Sequence, residues 1–431
     1  MLAEGVLRCH HRGVSESIRT PSPFALPHPL RALRARDFRL YFVGQLVSVA
    51  GTWMQQIAMA WLAYSLTHSA LVLGLLGFAS QIPILLFAPL GGVWSDRVDR
   101  RHLMMATQAL AMLQALVLAL LAWQGWATPA LLIGLAFVLG CINAVDVPVR
   151  QALVVHLVAD RALLPNAIAL NSFMMNSTRF VGPALAGVIV AWAGAAVCFL
   201  FNALSYLAVL VALAMLHTRP GASAAKPALH ALREGLAYTL SHREIRLFLL
   251  LVAAVSFFVA PYVVMLPHYA KTVLGGDART FGLLVSSAGA GALLASVFLA
   301  SRGSIEGLAA RVNGAAILAG AALVAFALNE IKALAYPILM VLGFSVILVA
   351  AGSNMLLQSW VRDDVRGRVM AIFSVAFLGI APLGSLLLGS LTHAFGLRAS
   401  LLGFGVLAVV AGVAHRACWR RCGGAAVQKR P

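Results

Sequence analysis

Acidic residues are scarce in this chain: Asp and Glu together number 14 among 431 residues, and all charged residues make up 11%. Soluble globular proteins carry about 25% charged residues. A water-soluble fold is therefore excluded. Hydrophobic residues fill the chain instead, at 61% of the total, which is typical of a protein with many membrane-spanning helices.

Cysteine is also rare, and its five positions are scattered. No disulfide framework follows from them. His415, Cys418 and Cys422 are too loosely spaced near the C-terminus to predict a metal site. The chain has no GxxxxGK[ST] loop, so ATP does not drive it directly, and it has no cluster of His and carboxylate residues for catalysis. We predict no enzyme activity, no metal and no cofactor.

Twelve apolar runs lie between Tyr41 and Ala414, each close to the roughly 20 residues that cross a bilayer. They predict an all-α membrane protein with twelve transmembrane helices in two six-helix bundles. A Pro- and Gly-containing linker separates the two sets of six runs. The predicted domains are an N-terminal tail 1–36, a bundle 37–217, a central loop with an interfacial helix 218–245, a bundle 246–415 and a C-terminal tail 416–431.

The formal net charge of +18 is explained by topology. Most Lys and Arg residues lie in alternate loops, and the other loops hold only Lys271, Arg279, Lys332 and Arg398. This positive-inside bias predicts that both termini are cytoplasmic. It leaves membrane lipid, rather than nucleic acid, as the partner of the basic residues. Residues 1–36 lack the apolar core of a signal peptide and are predicted to be a cytoplasmic tail.

A charged segment between the second and third runs carries the pattern GxxxDRxxRR, from Gly92 to Arg101. Similar landmarks are Asp146-Val-Pro148-Val-Arg150-Gln151, Gly182-Pro183 and Arg366-Gly367-Arg368. Together these residues resemble the major facilitator superfamily and, within it, the bacterial transmembrane secretion effector group, which includes the enterobactin exporter. The resemblance implies an inner-membrane exporter that works by alternating access between two halves.

The same resemblance implies a gating role for the charged segment. Asp96, Arg97 and Arg101 would form a latch between the halves in the outward-open state. Asp96 could also cap a neighbouring helix, an interaction of roughly 0.3 to 2 kcal/mol. The alternative, that these residues are simple positive-inside anchors, explains the arginines alone. The predicted gating residues are Gly92, Asp96, Arg97, Arg100, Arg101 and Asp146.

Two charges are predicted inside the membrane, and each has two interpretations. Asp146 needs a buried partner; either it pairs with Arg97 or Arg100, or it is the protonatable carboxylate of a proton antiporter. Arg179 falls near mid-membrane, on one helical face with Ser172 and Asn176. Either it binds an anionic substrate or a carboxylate, or it bonds to carbonyl groups and Asn143 of a neighbouring helix.

The first span carries a polar stripe of Gln45, Ser48, Thr52 and either Gln55 or Gln56. The resemblance implies that the first, fourth, seventh and tenth spans line a central cavity. Hydrogen bonds between helices are the alternative use of such residues. The candidate substrate contacts are Gln45, Ser48, Thr52, Gln55, Asn143, Asn176, Arg179, Tyr262, Asn354 and Gln358.

The predicted function is secondary active export of a siderophore-like or drug-like small molecule by a monomer, with protons as a candidate coupling ion. The first span has glutamines and no carboxylate, which favours a neutral or anionic cargo over polyspecific cation efflux. The alternative is a protein of the same fold with a sensing or scaffold role and no transport.

Overall fold

A computed structural model describes residues 28–421, except 98, 159, 161–162, 217–235 and 303; the side chains of 28–29, 88–97, 155 and 363–364 also lie outside the description. After a short 3-10 helix, His28–Arg34, the described chain is almost entirely α-helical. The helices are α1 Arg36–Thr67, α2 Ala70–Arg97, α3 Arg100–Trp123, α4 Pro129–His156, α5 Leu164–Ala193, α6 Ala195–Ala214, α7 Arg243–Phe258, α8 Tyr262–Thr272, α9 Ala278–Ala300, α10 Leu308–Leu328, α11 Lys332–Trp360, α12 Asp363–Ser374, α13 Ala381–Phe395 and α14 Leu397–Arg421.

Eleven segments of the described chain are long and apolar enough to cross a membrane, so the protein is a multi-pass membrane protein. Two of them are interrupted: α7 with α8 forms one, and α12 with α13 forms another. Helix α1 is 32 residues long but is not among the eleven, because its polar stripe lowers its hydropathy. The count of twelve spans and their division into two six-helix bundles therefore stay a prediction. Residues 236–241, within the predicted interfacial helix, are helical.

The N-terminal half, residues 28–216, packs α1 against α6 and α2 against α4. Glycines permit the close approach of α1 and α6. A Cβ atom at Gly44 would lie 3.0 Å from Ala212 Cβ, and one at Gly51 would overlap the Asn202 and Ser205 side chains. Backbone proximity on this scale brings the polar side chains of these helices within hydrogen-bonding distance of each other.

The C-terminal half, residues 236–421, contains two broken spans side by side. Helix α7 stops at Phe258 and α8 starts after Pro261, whose ring cannot continue a regular helix. A π-helical turn, Val375–Gly379, separates α12 from α13. The Ser256 hydroxyl donates a hydrogen bond to the Phe377 carbonyl in that turn. It thus satisfies a backbone group that the irregular turn would leave exposed.

The two halves meet through the ends of the helices that the charge pattern predicts to face outward. A Cβ at Gly74 would lie 2.9 Å from Gly389 Cα, and one at Gly187 would lie 3.0 Å from Gly282 Cα. The Trp61 and Phe281 rings stack across the same boundary at 6.2 Å. By contrast, α4 and α5 make at most marginal contact with α11 and α12 in the described chain. Among the described residues, the contacts between the halves thus concentrate at the predicted outer end and become sparse toward the predicted inner end.

Candidate functional site

The charged segment is mostly helical. Helix α2 continues through Arg97, and α3 starts at Arg100. The Asp99 carboxylate caps α3 by accepting hydrogen bonds from the backbone N–H groups of Arg101, at 2.8 Å, and His102, at 3.3 Å. The side chains of Gly92, Asp96 and Arg97 lie outside the description, so their latch role, and the capping role of Asp96, stay predictions.

The described arginines of this segment, Arg100 and Arg101, contact residues of the N-terminal half. Arg101 donates to the carbonyl oxygens of Leu216, at 3.0 Å, and Ala214, at 2.7 Å. These carbonyls end α6, where the helix dipole favours a cation. Arg100 is buried and lies 3.3 Å from the His156 ring through its Nη1 atom. These described contacts of both side chains lie within the N-terminal half.

Asp146 is 1% exposed, as predicted for a buried carboxylate, but its cation is Arg150 of its own helix. Arg150 donates to Asp146 Oδ2 through both Nη2 and Nε, the latter at 3.1 Å. Thr107 and Gln108 donate to Oδ1 at 2.8 and 2.7 Å. The expected pairing with Arg97 or Arg100 is therefore replaced by a local pair four residues along α4, where side chains share a face.

A small cavity of about 50 Å³ adjoins this pair. Its volume suffices for roughly three to five water molecules. Three buried polar atoms in the same region lack a hydrogen-bond partner within the described chain: Tyr41 Oη, Gln45 Nε2 and Gln108 Oε1. The cavity is lined by Ser48, Val49, Thr52, Gln108, Ala111, Ile142, Asn143, Asp146, Arg150 and Tyr206. It is enclosed by α1, α3, α4 and α6, and hence lies inside the N-terminal half.

This placement changes the interpretation of the first-span stripe. Gln55 is 0% exposed; its amide donates to Gln114 Oε1 at 2.9 Å and accepts from Asn202 at 2.7 Å. Gln45 and Ser48 are buried too, and Thr52 lies 3.3 Å from the Tyr206 hydroxyl. These side chains, predicted as substrate contacts, face the interior of the N-terminal half here. The exposed glutamine is its neighbour Gln56.

Arg179 occupies a different place, at the boundary between the halves. Its guanidinium carbon lies 5.6 Å from the centre of the Trp53 ring, and Tyr262 at the start of α8 is within electrostatic range. Within the described chain Arg179 makes no hydrogen bond or ion pair, so the expected bond to Asn143 is not formed. Its carbonyl oxygen would be 2.7 Å from a Cβ at Gly289 of α9. Residues of α1, α5, α8 and α9 therefore meet around it.

The other predicted contacts are spread along two helices. Asn176 donates to the Ser172 carbonyl of its own helix at 2.9 Å. In α11, Gln358 donates to Asn354 Oδ1 at 2.6 Å, and Gln358 is exposed. Asn354 and Gln358 keep polar atoms available toward the predicted inner end.

No group of three potential metal ligands occurs among the described residues. His415 hydrogen-bonds Asn313 inside the C-terminal half, while Cys422 is outside the description. Phe248 packs edge-on against the His415 ring at 5.0 Å. His415 is therefore buried between helices inside the C-terminal half.

Multiple membrane spans, two halves that meet at one end and a charged residue between them are features of membrane transporters with the major facilitator fold. A sequence model described as the transmembrane secretion effector matches residues 27–427. The chain belongs to this family.

Curated relatives agree with this assignment. The staphyloferrin A transporter of Staphylococcus aureus (strain NCTC 8325 / PS 47) is 27% identical over 83% of this chain and 90% of its own length. The multidrug efflux pump Tap of Mycolicibacterium fortuitum is 23% identical over 87% and 93%. These relatives are transporters, not enzymes.

Solved structures share the fold. A bacterial homolog of the human lysosomal transporter Spinster, inward-facing and unoccupied, superposes with a TM-score of 0.70 at 14% identity, covering 89% of this chain and 97% of that one. A POT family transporter in complex with 5-aminolevulinic acid gives a TM-score of 0.68 at 11% identity, covering 88% and 95%.

Proposed function

We propose that this protein is a secondary active exporter of small molecules in the bacterial inner membrane, working by alternating access. The observation that carries the proposal is the closed boundary at the predicted outer end, with Arg179 below it between the halves. Under the positive-inside orientation this conformation is inward-facing, ready to accept cargo from the cytoplasm. The names of the siderophore-transporting and multidrug-effluxing relatives support export of such molecules.

The experiment tests whether the outer end must open. A Cβ at Gly77 would lie 2.9 Å from Val264 Cγ2 across the boundary, which suits a disulfide between the halves. Gly77→Cys with Val264→Cys is made in a chain whose five cysteines are replaced, and is reconstituted in liposomes. Staphyloferrin A and ethidium serve as transport probes.

Oxidation should stop flux of whichever probe moves, and reduction should restore it. Each single-cysteine variant, treated identically, is the matched control and should keep its flux. Undiminished flux through the fully cross-linked protein would rule out alternating access at this boundary. Absence of flux for both probes in the unmodified chain would favour the sensing or scaffold alternative.

Proton antiport through Asp146 remains a hypothesis within this proposal. In the described conformation the carboxylate accepts four hydrogen bonds from three side chains, Thr107, Gln108 and Arg150. Proton uptake would therefore require the pair with Arg150 to open during the cycle. An Asp146→Asn variant that still exports in response to an imposed pH gradient would remove Asp146 as the proton carrier.

The latch is the second part of the hypothesis. Asp96, Arg97 and Arg101 are proposed to join the halves at the inner end in the outward-open state, whereas Arg101 holds the end of α6 in the present one. Charge reversal at Asp96 should slow exchange between conformations and leave affinity within one state unchanged. Stopped-flow fluorescence from a probe at the inner end separates the two effects, and a pure affinity loss would contradict this division.

A further inference from the structure

Arg179 is a cation with no anion beside it in the part of the chain that the structure describes. It lies deep within the protein between the halves, yet its side chain keeps partial accessibility, as expected on the wall of a cleft. No described residue gives it a hydrogen bond or a counter-ion. A lone guanidinium at this depth is unfavourable unless something compensates it.

No acidic side chain that the structure describes serves that purpose. Asp146 is the one carboxylate placed within the spans by the sequence, and Arg150 with two further donors occupies it. The other described acids lie at helix ends or in connections, such as Asp99, Asp277 and Glu330. The compensating anion of Arg179 must therefore come from outside the described chain.

The surroundings of Arg179 suit such an anion. The guanidinium carbon lies 5.6 Å from the centre of the Trp53 ring, within cation–π range, and its N–H edge donates no hydrogen bond within the described chain. That edge matches the two oxygens of a carboxylate in bidentate geometry. Tyr262 lies at the start of α8 in the other half, and Gln56 is exposed on the same face of α1 as Trp53. Both can donate further hydrogen bonds.

We propose that the cargo is an anion, a small molecule bearing carboxylate groups, and that Arg179 on Trp53 binds one carboxylate while Tyr262 approaches it from the C-terminal half. This inference rests on the proposed export function and specifies its substrate class. Because the ligand would touch both halves, its presence favours a state in which they close around it.

The first test measures binding to the full chain in lipid nanodiscs at pH 7.5, with citrate as the probe and trimethyl citrate as its uncharged match. Citrate should raise the unfolding temperature, and the triester should not. Arg179→Gln should weaken citrate binding at least about 30-fold, as expected when one member of a buried charge pair is removed. Arg179→Lys should lie between, since it keeps the charge and loses the planar fork.

Two variants control for indirect effects. Arg398→Gln removes an exposed arginine at the predicted outer end, and its citrate affinity should match that of the unmodified chain. Trp53→Phe keeps an aromatic face, and it should lose less affinity than Trp53→Ala. Unaltered cross-linking between Gly77→Cys and Val264→Cys in the Arg179→Gln background shows that the halves still pack.

Three results would overturn the inference: no binding of citrate, equal binding of the triester, or full citrate affinity in Arg179→Gln. Flux measurements in liposomes separate these from failure of the export function. Ethidium flux without citrate binding would leave an exporter and remove the anionic cargo. Absence of ethidium, staphyloferrin A and citrate flux would remove the export function itself.

Discussion

The two halves of this protein accommodate polarity inside the membrane in different ways. The N-terminal half holds a charged pair, Asp146 and Arg150, together with a chain of amides from Gln114 through Gln55 to Asn202. The C-terminal half instead breaks two helices, after Phe258 and at the π-helical turn Val375–Gly379. Fixed side-chain networks resist rearrangement, whereas broken helices supply points at which a span can bend. We infer that the N-terminal half is the more rigid one and that bending concentrates in the C-terminal half.

The largest expected effect comes from breaking the charged pair. Asp146→Asn leaves Arg150 buried without its anion and should destabilise the protein by about 3 to 5 kcal/mol. The matched change is Glu330→Gln, which breaks the exposed pair with Arg398 and should cost about 0 to 1 kcal/mol. Unfolding of the purified chain in mixed micelles of increasing SDS content measures both.

The double variant Asp146→Leu with Arg150→Met sharpens this comparison. Removing both charges removes the unpaired cation, so stability should recover part of the loss of the single variant. Equal destabilisation by Asp146→Asn and Glu330→Gln would mean that the N-terminal half does not depend on its charged pair.

The sequence predicts some of this arrangement and misses the rest for physical reasons. Scarcity of charge made Asp146 and Arg179 stand out, and both lie inside the membrane-spanning helices. The predicted pairing of Asp146 with Arg97 or Arg100 is not the one that forms, since Asp146 pairs with Arg150. The four-residue spacing between Asp146 and Arg150 is a sequence signal of a pair on one helical face. Gln55 and Gln56 are adjacent, and only the packing of α1 against α6 decides which of them faces inward. The break after Phe258 was signalled by Pro261 alone.

The next effect concerns the boundary between the halves. A Cβ at Gly187 would press on Ala278 O at 2.8 Å, and Gly187→Ala should therefore push α5 away from α9, at a cost of about 1 to 3 kcal/mol to the closed outer end. Labelling of Phe281→Cys by a membrane-impermeant maleimide should become faster, because the outer end opens more often. Gly134→Ala, in open space on α4, should leave that rate unchanged. Slower labelling in Gly187→Ala would contradict the assignment of this boundary as the closed gate.

A smaller effect separates the hydrogen bonds of the two halves. Gln55→Leu removes two bonds and leaves groups of Gln114 and Asn202 unsatisfied, for an expected loss of about 1 to 2 kcal/mol. Asn313→Leu removes a single described bond, the one to His415, and should cost about half as much. SDS titration of both variants provides the comparison, and a larger loss for Asn313→Leu would reverse the ranking of the halves.

The smallest effect lies at the predicted outer surface, where Asp277 caps α9 of the C-terminal half. Its carboxylate accepts the Thr280 backbone N–H at 2.9 Å, and this bond, with a smaller contribution from the Thr280 hydroxyl, holds the pKa of Asp277 below its usual range. A lowered folded-state pKa means that the charged cap stabilises α9 above the unfolded-state pKa of about 3.9 and is lost as the pH falls through the folded-state value. Asp277→Ala should therefore cost about 0.5 to 1 kcal/mol at pH 7, the low end for a capping side chain, because Asp277 is exposed. Asp277→Asn keeps the capping oxygen but cannot titrate, so the unfolding free energy of the unmodified chain should decline more steeply below pH 4 than that of this variant. Identical acid profiles for the two would show that the Asp277 charge contributes nothing to the α9 cap. The hydrogen bond alone would then stabilise the start of α9.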